Sequence, residues 1–259
     1  MKRISRTVRA RFTSRPALLG AVVLLALTSA SVAAADAGPA PLGVTVVAAR
    51  TARIARVGAL FAADRAGGPA GGHFCTASVV HSPQRDLVVT AAHCVDGADG
   101  YLVFVPGYRD GRAPYGVWRV GKPFVPDGWA KARDEDSDIA LAHLEALDGR
   151  RVEDVVGAGR LRAGVVTGAT AVTLTGYPDS REVPVSCTDW PVRQGRTQQR
   201  VDCPDFPGGT SGSPWTDRDG RVVGVLGGYE RGGSTADVSY SAVLRGQASA
   251  LYRRATAVS

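Results

Sequence analysis

Three short segments in a fixed order constrain this chain more than any other feature. They are Thr90-Ala91-Ala92-His93-Cys94, Ser137-Asp138-Ile139-Ala140-Leu141 and Gly208-Gly209-Thr210-Ser211-Gly212-Ser213-Pro214. A fold that uses all three must bring a histidine, an aspartate and a serine from distant points of the chain to one place. A serine hydroxyl is a weak nucleophile at neutral pH; an imidazole must take its proton and a carboxylate must fix the tautomer of that imidazole. The chain supplies one candidate for each role: His93, Asp138 and Ser211.

The start of the chain reads as an export signal. Lys2, Arg3, Arg6, Arg9, Arg11 and Arg15 precede the apolar run Ala17 to Leu27, and small residues end in Ala35-Asp36-Ala37. This is the pattern of a secretory signal peptide over residues 1–37, cut after Ala37, with Ala33 and Ala35 as alternative sites, and it implies an extracellular product. The apolar core is too short to span a bilayer and no comparable run follows, so no membrane association is expected after its removal. The formal charge is +7, but residues 1–37 hold six of the 31 Lys and Arg and one of the 24 Asp and Glu. That leaves 25 basic against 23 acidic residues, or +2, and no nucleic-acid partner is expected.

The remaining chain, about 220 residues, suffices for one domain or a tightly fused pair of subdomains. Four cysteines in an exported chain imply two disulfides, and three pairings are formally open. Cys75 with Cys94 and Cys187 with Cys203 is the expected set, because each pair flanks a piece of the proposed site. Each would close a loop of roughly 15 to 20 residues and contribute about 3 kcal/mol in the loop-entropy model.

Gly38 to Ala55 is rich in Ala, Val and Arg without periodicity and is read as a short propeptide or N-terminal arm. From Arg56 to Ser259 the pattern is one of brief apolar runs between Gly, Pro and Asp: 57–61, 74–80, 87–91, 101–105, 117–120, 139–144, 171–175 and 222–226. Short strands so spaced indicate an all-β sandwich or barrel. Leu244, Ala248, Leu251 and Tyr252 recur at helical spacing, so an amphipathic helix closes the chain. A link between halves is expected within the Gly-rich, charged stretch from Asp148 to Gly168.

The three segments resemble the trypsin/chymotrypsin family of serine endopeptidases, in particular its bacterial, glutamyl-endopeptidase-like branch, and the resemblance extends from Val57 onward. It implies an all-β fold of two packed six-stranded antiparallel barrels with the triad in the cleft between them, completed here by the C-terminal helix. In that setting His93 would be the general base, Asp138 its orienting carboxylate, and Ser211 the nucleophile. The backbone N–H groups of Gly209 and Ser211 would form an oxyanion hole. Ser213 is the poorer nucleophile, since it precedes Pro214 and is pushed toward an extended conformation. His73, His81 and His143 lack any such context and are read as surface or packing residues. No metal-ligand cluster of CxxC or HExxH type occurs, and neither metal nor cofactor is expected.

The chain departs from the family pattern at several points. Thr210 replaces an aspartate that in most animal members receives the freed N-terminus. Gly227 stands near a serine that often supports the triad aspartate, so support for Asp138 must come from backbone or water. Leu226 replaces the histidine of glutamate-specific relatives. Asp205 lies six residues before Ser211, where trypsin-like members place the carboxylate that attracts Arg or Lys, while Tyr229 and Val238 fall where basic-specific relatives keep glycines. The expected product is a secreted, monomeric serine endopeptidase acting on proteins or peptides through an acyl-enzyme, with cleavage after Arg or Lys. The rivals are a catalytically silent binding protein on the same fold and an esterase, whose Gly-x-Ser-x-Gly elbow is absent.

Overall fold

The runs 74–80, 87–91 and 101–105 do not alternate, and their strands are buried on both faces. The computed structural model describes residues 40–96 and 100–257, and the proposed signal peptide lies outside them. After a two-residue strand β1 (Val46–Val47) and one helical turn α1 (Ala52–Ala55) come β2 (Val57–Ala62), β3 (Cys75–Val80), β4 (Leu87–Thr90), β5 (Leu102–Pro106), β6 (Trp118–Phe124) and, beyond the short helix α2 (Asp127–Ala132), β7 (Ala140–Leu144). The six strands β2 to β7 close into an antiparallel barrel in the order β2-β3-β4-β7-β6-β5. Every residue of β3, β4 and β5 is buried. Burial on both faces is why their apolar runs lack a period of two.

The link expected between Asp148 and Gly168 carries a helical turn α3 (Val152–Val156) and a short strand β8 (Arg160–Leu161). The second half then adds β9 (Val172–Gly176), β10 (Val185–Asp189), β11 (Val192–Gln194), β12 (Gln198–Asp202), β13 (Pro214–Thr216), β14 (Arg221–Val225) and β15 (Val238–Ala242). By backbone pairing these strands fall into two groups, where the resemblance implied a second six-stranded barrel. They make a six-stranded sheet, β1-β10-β9-β13-β14-β8, and a three-stranded sheet, β11-β12-β15, around a core that includes Leu174, Val201, Phe206 and Trp215. At the seam between β14 and β15 the N–H of Val225 donates to the Ser241 hydroxyl at 3.0 Å, and just beyond it Gly227 N–H donates to Tyr240 O at 3.0 Å.

Both ends of the stretch from residue 40 to residue 257 are tied down. In residues 40–55, Gly43 N–H donates to Thr188 O and Ala48 N–H to Pro184 O, both at 2.9 Å, which holds β1 on the edge of β10. The C-terminal helix α4 (Gly246–Thr256) returns to the first barrel, burying Ala248, Leu251 and Ala255, with Leu244 just before it, in the same core as β3, β4 and β7. Tyr252, expected on that face, is partly buried, and its hydroxyl donates to His81 O at 2.8 Å.

Candidate active site

Strand pairing brings the first two candidates together. In the β4–β7 ladder Thr90 faces Ala140, so the chain leaving β4 and the chain entering β7 emerge at one end of the barrel. His93 sits in a tight turn, Ala92–Cys94, after that exit, and Asp138 follows the turn Glu135–Ser137 before that entrance. His93 Nδ1 donates to Asp138 Oδ2 at 2.7 Å and His93 backbone N–H donates to Oδ1 at 3.0 Å. The Asp138 side chain is fully buried and that of His93 is 11 % exposed. A carboxylate this deep requires several donors. The third is the backbone N–H of Gly228, 2.8 Å from Oδ2. It supplies the backbone support that Gly227 left open, because a Cβ at Gly227 would stand 2.7 Å from the same oxygen and 3.2 Å from Ala91 Cβ. With Nδ1–H engaged, the imidazole tautomer leaves Nε2 as the acceptor.

Ser211 comes from the second half, in the turn that enters β13. Its carbonyl accepts the N–H of Thr76 at 2.7 Å. Thr76 is preceded by Cys75, whose disulfide runs to Cys94 beside His93. One dipeptide of β3 therefore links to the neighbour of His93 on one side and to the backbone of Ser211 on the other. The second expected disulfide, Cys187–Cys203, is also present and joins β10 to the segment after β12, across the two sheets of the second half. Cys75, His93 and Cys94 place ligand-type atoms within 4.8 Å of one another, but both sulfurs are spent in the disulfide and neither can offer a thiolate.

The two serines of the turn differ. Ser211 is partly exposed, whereas Ser213 is wholly buried and its hydroxyl donates to Thr210 O at 2.6 Å. Thr210, also buried, turns its hydroxyl onto Pro207 O at 2.6 Å, so the position that holds an aspartate in animal relatives closes a local turn here. Gly209 has φ +86°, and a Cβ there would collide with Asp179 N and Tyr177 O. Among the described residues neither Gly209 N–H nor Ser211 N–H donates a hydrogen bond within the chain.

The remaining candidates fall outside this cluster or at its margin. The Asp205 side chain is 60 % exposed and pairs with Arg181 at 3.4 Å. Tyr229 follows the amide that holds Asp138, with its ring against Tyr240 at a 5.0 Å centroid distance. The charge of the neighbouring Glu230 pushes its hydroxyl above the ordinary tyrosine value. Val238 pairs with Asp202 at the start of β15 and is partly buried. The other histidines are engaged elsewhere: His73 with Pro178 O, His81 with Glu153, and His143 between Asp86 and Ala255 O. Sequence reasoning passed over Thr76 and Gly228. A threonine set within the apolar run 74–80, next to a disulfide cysteine, was the available signal for Thr76; nothing local marked Gly228.

A closed β-barrel joined to a second β unit, with histidine and aspartate on the first and serine on the second, is the arrangement of a serine endopeptidase. The chain belongs to the trypsin-like peptidase domain family, whose sequence model matches residues 75–225. Among solved structures it is similar to the protease Anisep from Arthrobacter nicotinovorans, at 26 % identity and TM-score 0.68 over 79 % of this chain and 96 % of that one. It is also similar to the thermostable serine protease AL20 from an extremophilic microorganism, at 27 % identity and TM-score 0.68 over 81 % and 100 % of the two chains. A Glu endopeptidase shares the fold at 18 % identity and TM-score 0.64, over 84 % and 98 %. No match is found among curated protein sequences.

Proposed function

We propose that the protein is a secreted serine endopeptidase in which Ser211 attacks the peptide carbonyl, His93 takes its proton and returns it to the leaving amine, and Asp138 holds the imidazole. The carrying observation is the 2.7 Å bond from His93 Nδ1 to an Asp138 carboxylate that is fully buried and also engaged by two backbone N–H groups. Such a carboxylate fixes the tautomer that leaves Nε2 free to accept, and it stabilises the imidazolium that forms as Ser211 is acylated. Gly209 and Ser211 N–H would receive the oxyanion of the tetrahedral intermediate. Water then hydrolyses the acyl-enzyme with His93 again as base.

Secretion is supported by two disulfides in a chain with an export-type N-terminus. Residues 38–55 act as a retained arm, consistent with the pairing of β1 on β10. Cleavage after Arg or Lys rested on the position of Asp205; the exposure of that carboxylate and its Arg181 partner count against it. The rival role of a silent binding protein requires a disabled site, whereas here each of the three triad positions carries its functional residue. Labelling with a fluorophosphonate, compared between the wild-type protein and Ser211→Ala, tests the assignment: covalent labelling is expected only in the former.

A further inference from the structure

Four successive carbonyls of the nucleophile turn are captured by hydrogen bonds, and two of the captors are side-chain hydroxyls. Gly208 O accepts Asp179 N–H at 2.8 Å. Gly209 O accepts the Thr76 hydroxyl at 3.0 Å. Thr210 O accepts both the N–H of Ser213 at 3.0 Å and its hydroxyl at 2.6 Å. Ser211 O accepts Thr76 N–H at 2.7 Å. In a trans peptide the N–H points opposite to the C=O. Fixing Gly208 O therefore sets the direction of Gly209 N–H, and fixing Thr210 O sets that of Ser211 N–H. The peptide between Gly209 and Thr210 is the joint between these two donors, and the Thr76 hydroxyl holds its carbonyl.

The surroundings leave these hydroxyls little freedom. Thr76 and Ser213 are each fully buried. The Thr76 hydroxyl also accepts Tyr177 N–H at 3.0 Å, so its single proton is committed to Gly209 O. The Thr76 carbonyl in turn accepts the Thr90 hydroxyl at 2.7 Å, which ties the same residue to the strand leading into His93. Thr210, meanwhile, has no carboxylate with which to anchor the turn from elsewhere in the chain.

We infer that Thr76 and Ser213 are positioning residues of the oxyanion hole: the Thr76 hydroxyl captures Gly209 O and so fixes the peptide that joins the two donors, and the Ser213 hydroxyl captures Thr210 O and so directs Ser211 N–H, both before charge develops. This rests on the proposed role of Ser211. Donors fixed in advance stabilise the tetrahedral intermediate more than the bound substrate, so a loosened turn lowers kcat and leaves KM nearly unchanged.

The test compares Thr76→Val, Thr76→Ser and Ser213→Ala with the wild-type protein and with Ser211→Ala, all disulfide-intact, by steady-state peptide hydrolysis. Inhibition is measured with a peptide trifluoromethyl ketone, whose serine adduct places an oxyanion in the hole, and with a product peptide that does not. Removing an oxyanion donor outright lowers kcat by about 100- to 1000-fold, so misdirecting one through Thr76→Val is expected to lower it by about 10- to 100-fold. The ketone should weaken in parallel and the product peptide should bind unchanged, while Thr76→Ser, which keeps the hydroxyl, restores kcat to within about threefold. Ser213→Ala retains the backbone donor to Thr210 O and is expected to lower kcat by about 3- to 10-fold. It provides the same comparison in a milder variant should Thr76→Val fail to fold.

Unchanged kcat in Ser213→Ala together with Thr76→Val, or in Ser213→Ala alone if Thr76→Val is unfolded, would overturn the inference. So would equal loss of ketone and product binding. Turnover by Ser211→Ala would instead overturn the nucleophile assignment on which it stands.

Discussion

Thr76 and Ser211 are joined backbone to backbone, N–H to carbonyl at 2.7 Å, and this bond couples the first barrel to the nucleophile turn of the second half. Because Cys75 precedes Thr76 and is bonded to Cys94, a covalent link and a hydrogen bond leave adjacent residues of β3 toward His93 and Ser211. The Cys75–Cys94 bond spans a separation of 19 residues, for which loop entropy gives about 3 kcal/mol of stabilisation. Replacing both cysteines by alanine should lower stability by about that amount in a denaturant titration. It should also reduce kcat in the protein that remains folded, since the register of His93 loosens. Full activity in the folded double variant would separate the bond from the site.

Gly227 is constrained by approach rather than by turn geometry. A Cβ there meets Asp138 Oδ2 at 2.7 Å, within the distance that forces displacement. Gly227→Ala should push the carboxylate away from Gly228 N–H and His93 and lower kcat/KM by about 10- to 100-fold, the size of effect that small misplacements of reacting groups produce. Kinetics on the purified variant, with circular dichroism to verify folding, checks this.

Asp205 offers a prediction of near-silence. Its carboxylate is exposed and already paired with Arg181, and exposed ion pairs contribute little. Asp205→Ser should therefore leave the residue preference at the cleavage site unchanged in a proteome-derived cleavage map. Loss of an Arg or Lys preference in that variant would show that the side chain turns into the pocket when substrate binds.

The legibility of the chain followed burial. All eight runs read as strands became strands, because each is dominated by residues that bury in a core. Among the strands passed over, β12 buries Gln198 and Gln199 and β15 buries Ser239 and Ser241, where apolar patterning carries no signal, while β1, β8, β11 and β13 are two or three residues long. The motifs gave the candidate triad and the flanking disulfides at residue level, since their chemistry tolerates few substitutes. What lay beyond reach was long-range: that β4 and β7 pair in the register that juxtaposes His93 and Asp138, that the second half divides into two sheets, and that Asp205 faces solvent.

Burial of Tyr108 and Tyr177 is expected to make the fold sensitive to alkali. Burial, followed by the hydrogen bond to Glu182, pushes the Tyr108 hydroxyl up to about 12. Burial also drives that of Tyr177 well above its ordinary value. A group whose folded value is raised gives stability that is complete below the unfolded value, about 10 for tyrosine, and that is lost as pH rises through the folded value. Stability should therefore fall steadily between about pH 10 and 12, with late tyrosinate absorbance appearing together with loss of tertiary structure. A titration in which all seven tyrosines ionise near 10 without unfolding would contradict it.

Ser211, and not the buried Ser213, is the proposed nucleophile of the triad. Peptide mapping by mass spectrometry after reaction with a fluorophosphonate tests it most directly. The expected result is a single adduct on Ser211, abolished by Ser211→Ala and strongly slowed by His93→Ala, with peptide hydrolysis lost in parallel. An adduct on Ser213, or undiminished peptide hydrolysis in a verified Ser211→Ala sample, would contradict the account.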